Sequence, residues 1–296
     1  MIDIGEIWQD AMRAGHYETA WTVAANILQQ RDPASRDDPS LPFHQRWVWD
    51  GSPPDGRQVL VRCYHGLGDT IQFARYLPVL ARRAGRVSFE VQPRLRELLA
   101  GLNGIDQSIA FDPAAPEPKS ECDIEITELD LVLRIPPEAA PPPYIAARHA
   151  ELPPGTVALC HASGEWDRDR DLPADLFRSL TRIAPCITLV PAPSTLDVLN
   201  PQGCPFDMGI TASLIAGAEL VITVDTMIAH LSGAMGKPTW LLIKAAPDWR
   251  WDPGSVTSSW YPSMRIYAQP EPGDWKTVMA HVSHDLAHIR RRSRKG

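Results

Sequence analysis

Residues 3–31 place apolar side chains at helical spacing: Ile7, Trp8 and Met12, then Ala20, Trp21, Val23, Ala24, Ile27 and Leu28. That period predicts two helices, and Gly15 between the runs predicts a hairpin. Residues 32–56, with RDPASRDDPS and WDGSPPDG, read as a linker ending in a turn. From residue 57 the pattern changes. RQVLVRCY, VSFEVQ, IDQSIAF, DIEIT and DLVLRI read as strands, and IQFARYLPVLARR and RLRELLAGL as amphipathic helices. After a proline-rich stretch at 136–154 the alternation restarts at 156. TVALCHA, CITLVPA, ELVITVD and PTWLLI are predicted strands; ADLFRSLTRI, ASLIAGA and TMIAHLSGAMG are predicted helices. Strand–helix alternation of this kind predicts doubly wound parallel sheets. The reading is therefore a helical hairpin cap at 1–45, α/β domains at 46–150 and 151–274, and a C-terminal helix with a basic tail at 275–296.

Composition narrows the class. The chain has 296 residues, 44% hydrophobic and 22% charged, which suits two domains with real cores and excludes disorder as a general description. The net charge of −7 argues against nonspecific binding to nucleic acid or an anionic surface. The Arg290–Lys295 run reads as the complement of a helix C-terminal dipole. No uncharged apolar run reaches membrane-spanning length, and the acidic start is unlike a signal peptide. Five widely spaced cysteines with no C-x-x-C read as reduced core thiols in a cytoplasmic protein.

Three segments carry candidate chemistry. Gly66-Leu67-Gly68-Asp69-Thr70 lies between a predicted strand and helix. Its glycines permit a tight turn and close approach of a ligand, at the strand end where open α/β sheets bind ligands. It is neither a dinucleotide fingerprint nor a Walker loop, and no acidic ribose partner is evident, so a nicotinamide oxidoreductase is disfavoured. Asp69 fits either a helix N-cap or a general base. The second segment, Val224 to Leu231, brings Asp225, Thr226 and Met227 onto a helix start, where free amides and the dipole favour phosphate. Asp225 alone fits an N-cap, and His230 alone fits a packed helix histidine. The third, Pro247-Asp248-Trp249-Arg250-Trp251 with SSWYPSMR after it, fits a sugar or phosphate clamp, with Trp249 and Trp251 as stacking candidates. It fits a cation–π stack that orders a long loop equally well.

Taken together, RWVWDGSPPDGRQVLVRCYHGLGDTIQFARYLPVLA, VSFEVQPRLRELL, AELVITVDTMIAHLSGAMGKPTWLLI and PDWRW with SSWYPSMRIYAQPEPGDW resemble a bacterial glycosyltransferase domain. It is related to the ADP-heptose:lipopolysaccharide heptosyltransferases of glycosyltransferase family 9, and it often follows tetratricopeptide repeats. The N-terminal hairpin looks like one such unit. It is expected to cap the next domain or to dock a protein, since no further repeat follows. The resemblance implies a GT-B fold, two Rossmann-like domains facing a cleft. It implies sugar transfer from a nucleotide-sugar without a metal or other cofactor. It assigns Asp69 as general base and Asp225, Thr226 and His230 to the donor diphosphate. With them stand Gly66, Gly68, Arg168, Met227, Lys244 and Arg250 as donor-site candidates.

The sequence departs from that pattern in two places. His161-Ala162-Ser163-Gly164 replaces a W-A-G-N-type stretch, and Asp171 stands where relatives have a small hydroxyl residue after Arg168 and Arg170. Val190-Pro191-Ala192-Pro193 replaces a Gln-Lys pair, so that Lys244 or Arg250 would have to supply the charge. The leading reading is a metal-independent, inverting glycosyltransferase. Its acceptor is a glycan, a lipid-linked glycan or a protein, with peripheral membrane association and a protein partner on the N-terminal helices as further candidates. The alternative is a catalytically weakened relative acting as a binding or scaffold protein.

Overall fold

The structure, a computed structural model, describes residues 3–164 and 167–293. It comprises two compact units, Met1–Ile145 and Ala146–Gly296. The first begins with α1 (Ile4–Arg13) and α2 (Tyr17–Gln30), which pack on each other. Gly15 joins them at φ +73°, a conformation that costs glycine nothing. Then come β1 (Gln58–Arg62), α3 (Leu67–Phe73), α4 (Leu77–Leu80), β2 (Arg86–Val91), α5 (Pro93–Leu99), β3 (Gln107–Ala110), β4 (Cys122–Glu125) and α6 (Leu129–Leu133). The four strands are parallel in the order β3-β2-β1-β4. Val61 sits between Phe89 and Ile124 in register, all three fully buried. Such a strand, covered on both faces, needs a continuous apolar run.

Two expectations change here. DLVLRI forms a helix rather than a strand. The Glu128 carboxylate takes the Glu125 N–H at 3.1 Å and Glu125 takes the Thr127 N–H at 2.6 Å. This pair of caps closes a 3₁₀ turn, Ile126–Glu128, that runs on into α6, and a short apolar run is open to either structure. The stretch 32–56 is not a loose linker. Arg36 pairs with Asp123, and Val48 and Trp49 are buried. The hairpin docks through buried Trp21, whose indole N–H donates to Asp130 at 3.0 Å, and through Arg31, which donates to Glu128 at 2.6 Å.

The second unit holds β5 (Val157–Cys160), α7 (Arg178–Thr181), β6 (Cys186–Thr188), α8 (Met208–Gly217), β7 (Leu220–Val224), α9 (Met227–Ala234), β8 (Thr239–Ile243), β9 (Met264–Ala268) and α10 (Trp275–Ser293). Its sheet is parallel in the order β6-β5-β7-β8-β9. β9 is a strand where the sequence showed only an Arg/Trp-rich segment. Its Ile266 pairs with Leu241 of β8. Trp275, Val278, Met279, Val282 and Leu286 give α10 a helical-period apolar stripe buried in the core of this unit. Arg290 is an anchor rather than a solvated charge. It donates to Glu219 at 2.8 Å and to the Gly155 carbonyl at 2.6 Å. Arg294 and Lys295 of the basic run, and Glu165 and Trp166 of the charged loop after β5, lie outside the described residues. All five cysteines are buried and unpaired. No described helix is long and apolar enough to cross a membrane.

Candidate active site

Each sheet has a topological switch point, between β1 and β4 in the first unit and between β5 and β7 in the second. Open parallel sheets bind ligands at the carboxyl ends of the strands there. Both candidate segments begin at such ends, Gly66–Asp69 after β1 and Asp225–His230 after β7.

In the first unit the loop after β1 is pinned from several sides. Cys63 N–H donates to the Glu90 carbonyl at 3.1 Å, and Tyr64 N–H to the Glu125 carboxylate at 3.0 Å. The Gln92 amide donates to the His65 carbonyl at 3.0 Å. Gly66 is the N-cap of α3, and Asp69 stands at the third helical position. Asp69 is thus not the N-cap that its position suggested. Its carboxylate reaches back to accept the Gly66 N–H at 3.0 Å, half of a capping box. The glycines do not serve a left-handed turn either, since Gly66 has φ −68° and Gly68 is helical. Asp69 remains half-buried and reachable.

Sequence reasoning missed the carboxylates behind it. Glu125 ends β4, is buried, and faces Asp69. Burial pushes its carboxyl up to about 7; the Thr127 and Tyr64 hydrogen bonds oppose this and the Asp69 charge adds to it. Burial likewise lifts Glu128 to about 7 and Asp130 to about 6. A carboxyl raised in the folded state favours folding below its unfolded value, and loses that contribution as pH rises through the folded value. The first unit is therefore expected to weaken between about pH 5 and 7.5. Half-buried His161 in the second unit, held low by partial burial, acts in the opposite sense. The decisive comparison is thus denaturation of wild type against Glu128→Gln, which should flatten the pH dependence. An unchanged slope refutes the assignment.

In the second unit, fully buried β7 delivers Asp225 to the start of α9. The N-cap is Thr226, at φ −158° with no side-chain cap bond, so Asp225 is not the cap. Asp225 is buried, and burial, then nearby Asp248, holds its carboxyl above the ordinary range; Arg170, Trp251 and Arg250 pull it back. Thr226 and Met227 stay partly exposed at the helix start, and the helix is buried from Ile228 onward. The free amides and dipole of a helix start favour negative charge. His230 is a packed histidine. Its Nδ1 lies 3.1 Å from the Tyr261 hydroxyl and its ring 5.6 Å from Trp251.

The cations sit around this helix start, each with a carboxylate. Lys244, just past β8, bonds Asp167 at 2.5 Å. Arg250 bonds Asp248 at 2.8 Å and stacks on Trp249 at 4.3 Å. It is Arg170, not Arg168, that reaches Asp225, at 3.8 Å; Arg168 is exposed. Asp171 explains its own presence. Its carboxylate accepts the Ser163 N–H at 2.6 Å and the Ser163 hydroxyl at 2.7 Å, holding the loop after β5. Trp251 is corrected as a stacking candidate. It is fully buried, and its ring faces are spent on His230 and Tyr261. Trp249 is half-buried and keeps some open surface. Among the described residues no group of three or more His, Cys, Asp or Glu is arranged to hold a metal ion.

Gly233 of α9 shows how tightly this site is backed. A Cβ there would lie 2.4 Å from the Tyr261 ring. Gly233→Ala is expected to cost about 1–3 kcal/mol by overpacking and to move the Tyr261 hydroxyl off His230. Equilibrium unfolding checks this, and an unchanged midpoint contradicts it.

The same architecture occurs in solved transferases. A family 9 glycosyl transferase from Veillonella parvula aligns with TM-score 0.56 at 12% identity, covering 81% of this chain and 98% of that one. The E. coli heptosyltransferase WaaC, solved with ADP, aligns with TM-score 0.53 at 15% identity, covering 78% and 99%. E. coli ADP-heptose heptosyltransferase II aligns at 0.53 and 12%, covering 80% and 99%. In fold, this chain is similar to the family 9 glycosyltransferases. Protein FlbA of Caulobacter vibrioides is 23% identical over 289 residues, 80% of this chain. The chain spans about half the length of that curated relative, 48%. No family model matches the sequence.

Proposed function

We propose that the chain is an inverting, metal-independent glycosyltransferase that uses a nucleoside diphosphate sugar and a hydroxyl of a glycan, lipid-linked or protein acceptor. The observation that carries the reading is Asp69, a reachable carboxylate fixed on the first turn of α3 at a sheet switch point. The fold likeness supports it. Transfer forms a bond from the acceptor oxygen to the anomeric carbon and breaks the bond from that carbon to the β-phosphate oxygen. The acceptor proton passes to Asp69, and the nucleoside diphosphate leaves. Its developing charge suits the amides at the start of α9. Lys244, Arg170 and Arg250 would exchange carboxylate partners for phosphate oxygens.

A scaffold role is the second reading. It is favoured by the engagement of Lys244 and Arg250 with Asp167 and Asp248, and by a Val190–Pro193 stretch without a cation. A thermal-shift panel of ADP, UDP, GDP, CDP and dTDP, each with and without magnesium, separates the two. A diphosphate present at a hundred times its Kd should stabilise by about 2.7 kcal/mol. Stabilisation by one of them without metal is the expected result. No shift with any, in folded protein, would leave the scaffold reading.

A further inference from the structure

The first unit contains a cavity to which sugar transfer at Asp69 gives no role. It measures about 410 Å³, within the roughly 300–1,000 Å³ of small-molecule sites. Chain that the sequence read as linker makes much of it. Phe43, Arg46 and Trp47 fold over the end of β1, facing Tyr64 and the loop that carries Glu117 and Lys119.

Its walls are ordered before any ligand arrives. The wall rings Phe43 and Tyr64 pack on each other and on Phe111 outside the cavity, with ring centroids 5.0–5.1 Å apart. Buried Arg62 forms a floor whose donors are spent on Asp123, Glu90, Tyr64 and two carbonyls. Around these rings are polar groups that are only partly spent. The Arg46 guanidinium sits over the Phe43 ring at 4.0 Å, and its Nε donates to the Leu41 carbonyl. Among the described residues neither Nη of Arg46 has a hydrogen-bond acceptor. Lys119 lies over Trp47 at 5.5 Å, with Asp50 3.7 Å away. On the accepting side, Glu117 and Asp37 line the same cavity. Among the described residues neither carboxylate has a hydrogen-bond donor.

A site with donor-only and acceptor-only groups around aromatic rings selects for hydroxyls, which both give and take hydrogen bonds. The rings select for a body with apolar faces. An anion is the poorer fit. Glu117 and Asp37 stand in the wall, and Glu90 and Asp123 already balance Arg62 and Arg36. We infer that this cavity is a saccharide subsite that takes a neutral pyranose. The inference rests on the first unit alone. Where the sugar-transfer reading holds as well, the occupant is a sugar unit of the acceptor, which makes that acceptor a glycan.

Saturation-transfer difference NMR on the full chain tests it. The probes are the methyl pyranosides of glucose, galactose and mannose, against glucuronate and glucose 6-phosphate. At least one neutral pyranoside should receive saturation more strongly than either anion. Glu117→Gln and Arg46→Gln, both at partly exposed positions, should each weaken it roughly tenfold, as expected for losing a charged hydrogen-bond partner. Trp47→Ala should do the same, with its melting temperature as the folding control. Stronger transfer to the anions, no transfer to any probe, or signals unchanged in Glu117→Gln and Arg46→Gln would overturn the inference. Pyranoside binding without any nucleotide shift would sink the donor reading alone. A nucleotide shift without pyranoside binding would sink this inference alone.

Discussion

Asp69→Asn is expected to lower turnover by about 10²–10⁴-fold, the usual worth of a positioned general base, while leaving the nucleotide thermal shift unchanged. The substitution is close to isosteric. An asparagine carbonyl can still accept the Gly66 N–H that the carboxylate accepts at 3.0 Å, so the start of α3 keeps its cap and the fold should hold. Donor binding is assigned to the second unit, at α9, so the nucleotide should bind the variant as it binds the parent. The loss should therefore appear in kcat rather than in KM, as for an interaction made mainly in the transition state. A second consequence is independent of any substrate. The Asp69 charge contributes to raising Glu125, so the Glu125 midpoint should fall in Asp69→Asn. Carboxyl-carbon NMR titration reads this directly. Turnover at the parental rate would remove Asp69 from the chemistry, and an unmoved Glu125 midpoint would remove the electrostatic link.

Most of the scaffold was legible because its cause is local. Compact apolar runs such as VLV at 59–61 and LVITV are satisfied by covering both faces of a strand, and the helices between them have their own period. Where the reading failed, the cause lay outside the apolar pattern. α6 becomes helical because it continues a 3₁₀ turn, Ile126–Glu128, whose start the Glu125 and Glu128 side chains cap, and no window of apolar positions reports that. β9 was hidden because MRIYA is too short for a period and because its partner β8 was needed to make it a strand.

At the candidate site, chain position singled out segments but not the partners within them. Arg168 and Arg170 are indistinguishable by sequence, yet a short 3₁₀ turn exposes the first and turns the second towards Asp225. Trp249 and Trp251 look alike in PDWRW, but one is half-exposed and the other lies beneath His230. Asp171 read as a departure, and its use became clear only once Ser163 was seen to donate both of its protons to it. The fold follows from patterning. Which charge meets which depends on turns that tertiary packing decides.

The largest expected effect on stability is at a residue that the sequence left inside a strand. Arg62→Met should destabilise the first unit by about 3–5 kcal/mol, the range for removing one partner of a buried ion pair. Arg62 joins three strands of the sheet. It reaches Glu90 on β2 at 2.9 Å and Asp123 on β4 at 2.8 Å, with all three side chains 3% exposed or less. The two acids would not suffer equally. Asp123 keeps Arg36 and the Ser120 N–H, whereas Glu90 keeps the Glu117 N–H and a long contact from the Tyr64 hydroxyl at 3.5 Å. Glu90 is then a buried charge without a cation, which is what destabilises the unit. The double variant Arg62→Met/Glu90→Gln should therefore recover part of the loss, because the uncompensated charge is gone. Denaturant unfolding of wild type, both single variants and the double variant closes the cycle. A double variant no more stable than Arg62→Met alone would show that the cost lies in lost packing and carbonyl bonds at Glu117 and Pro118, not in the orphaned charge of Glu90.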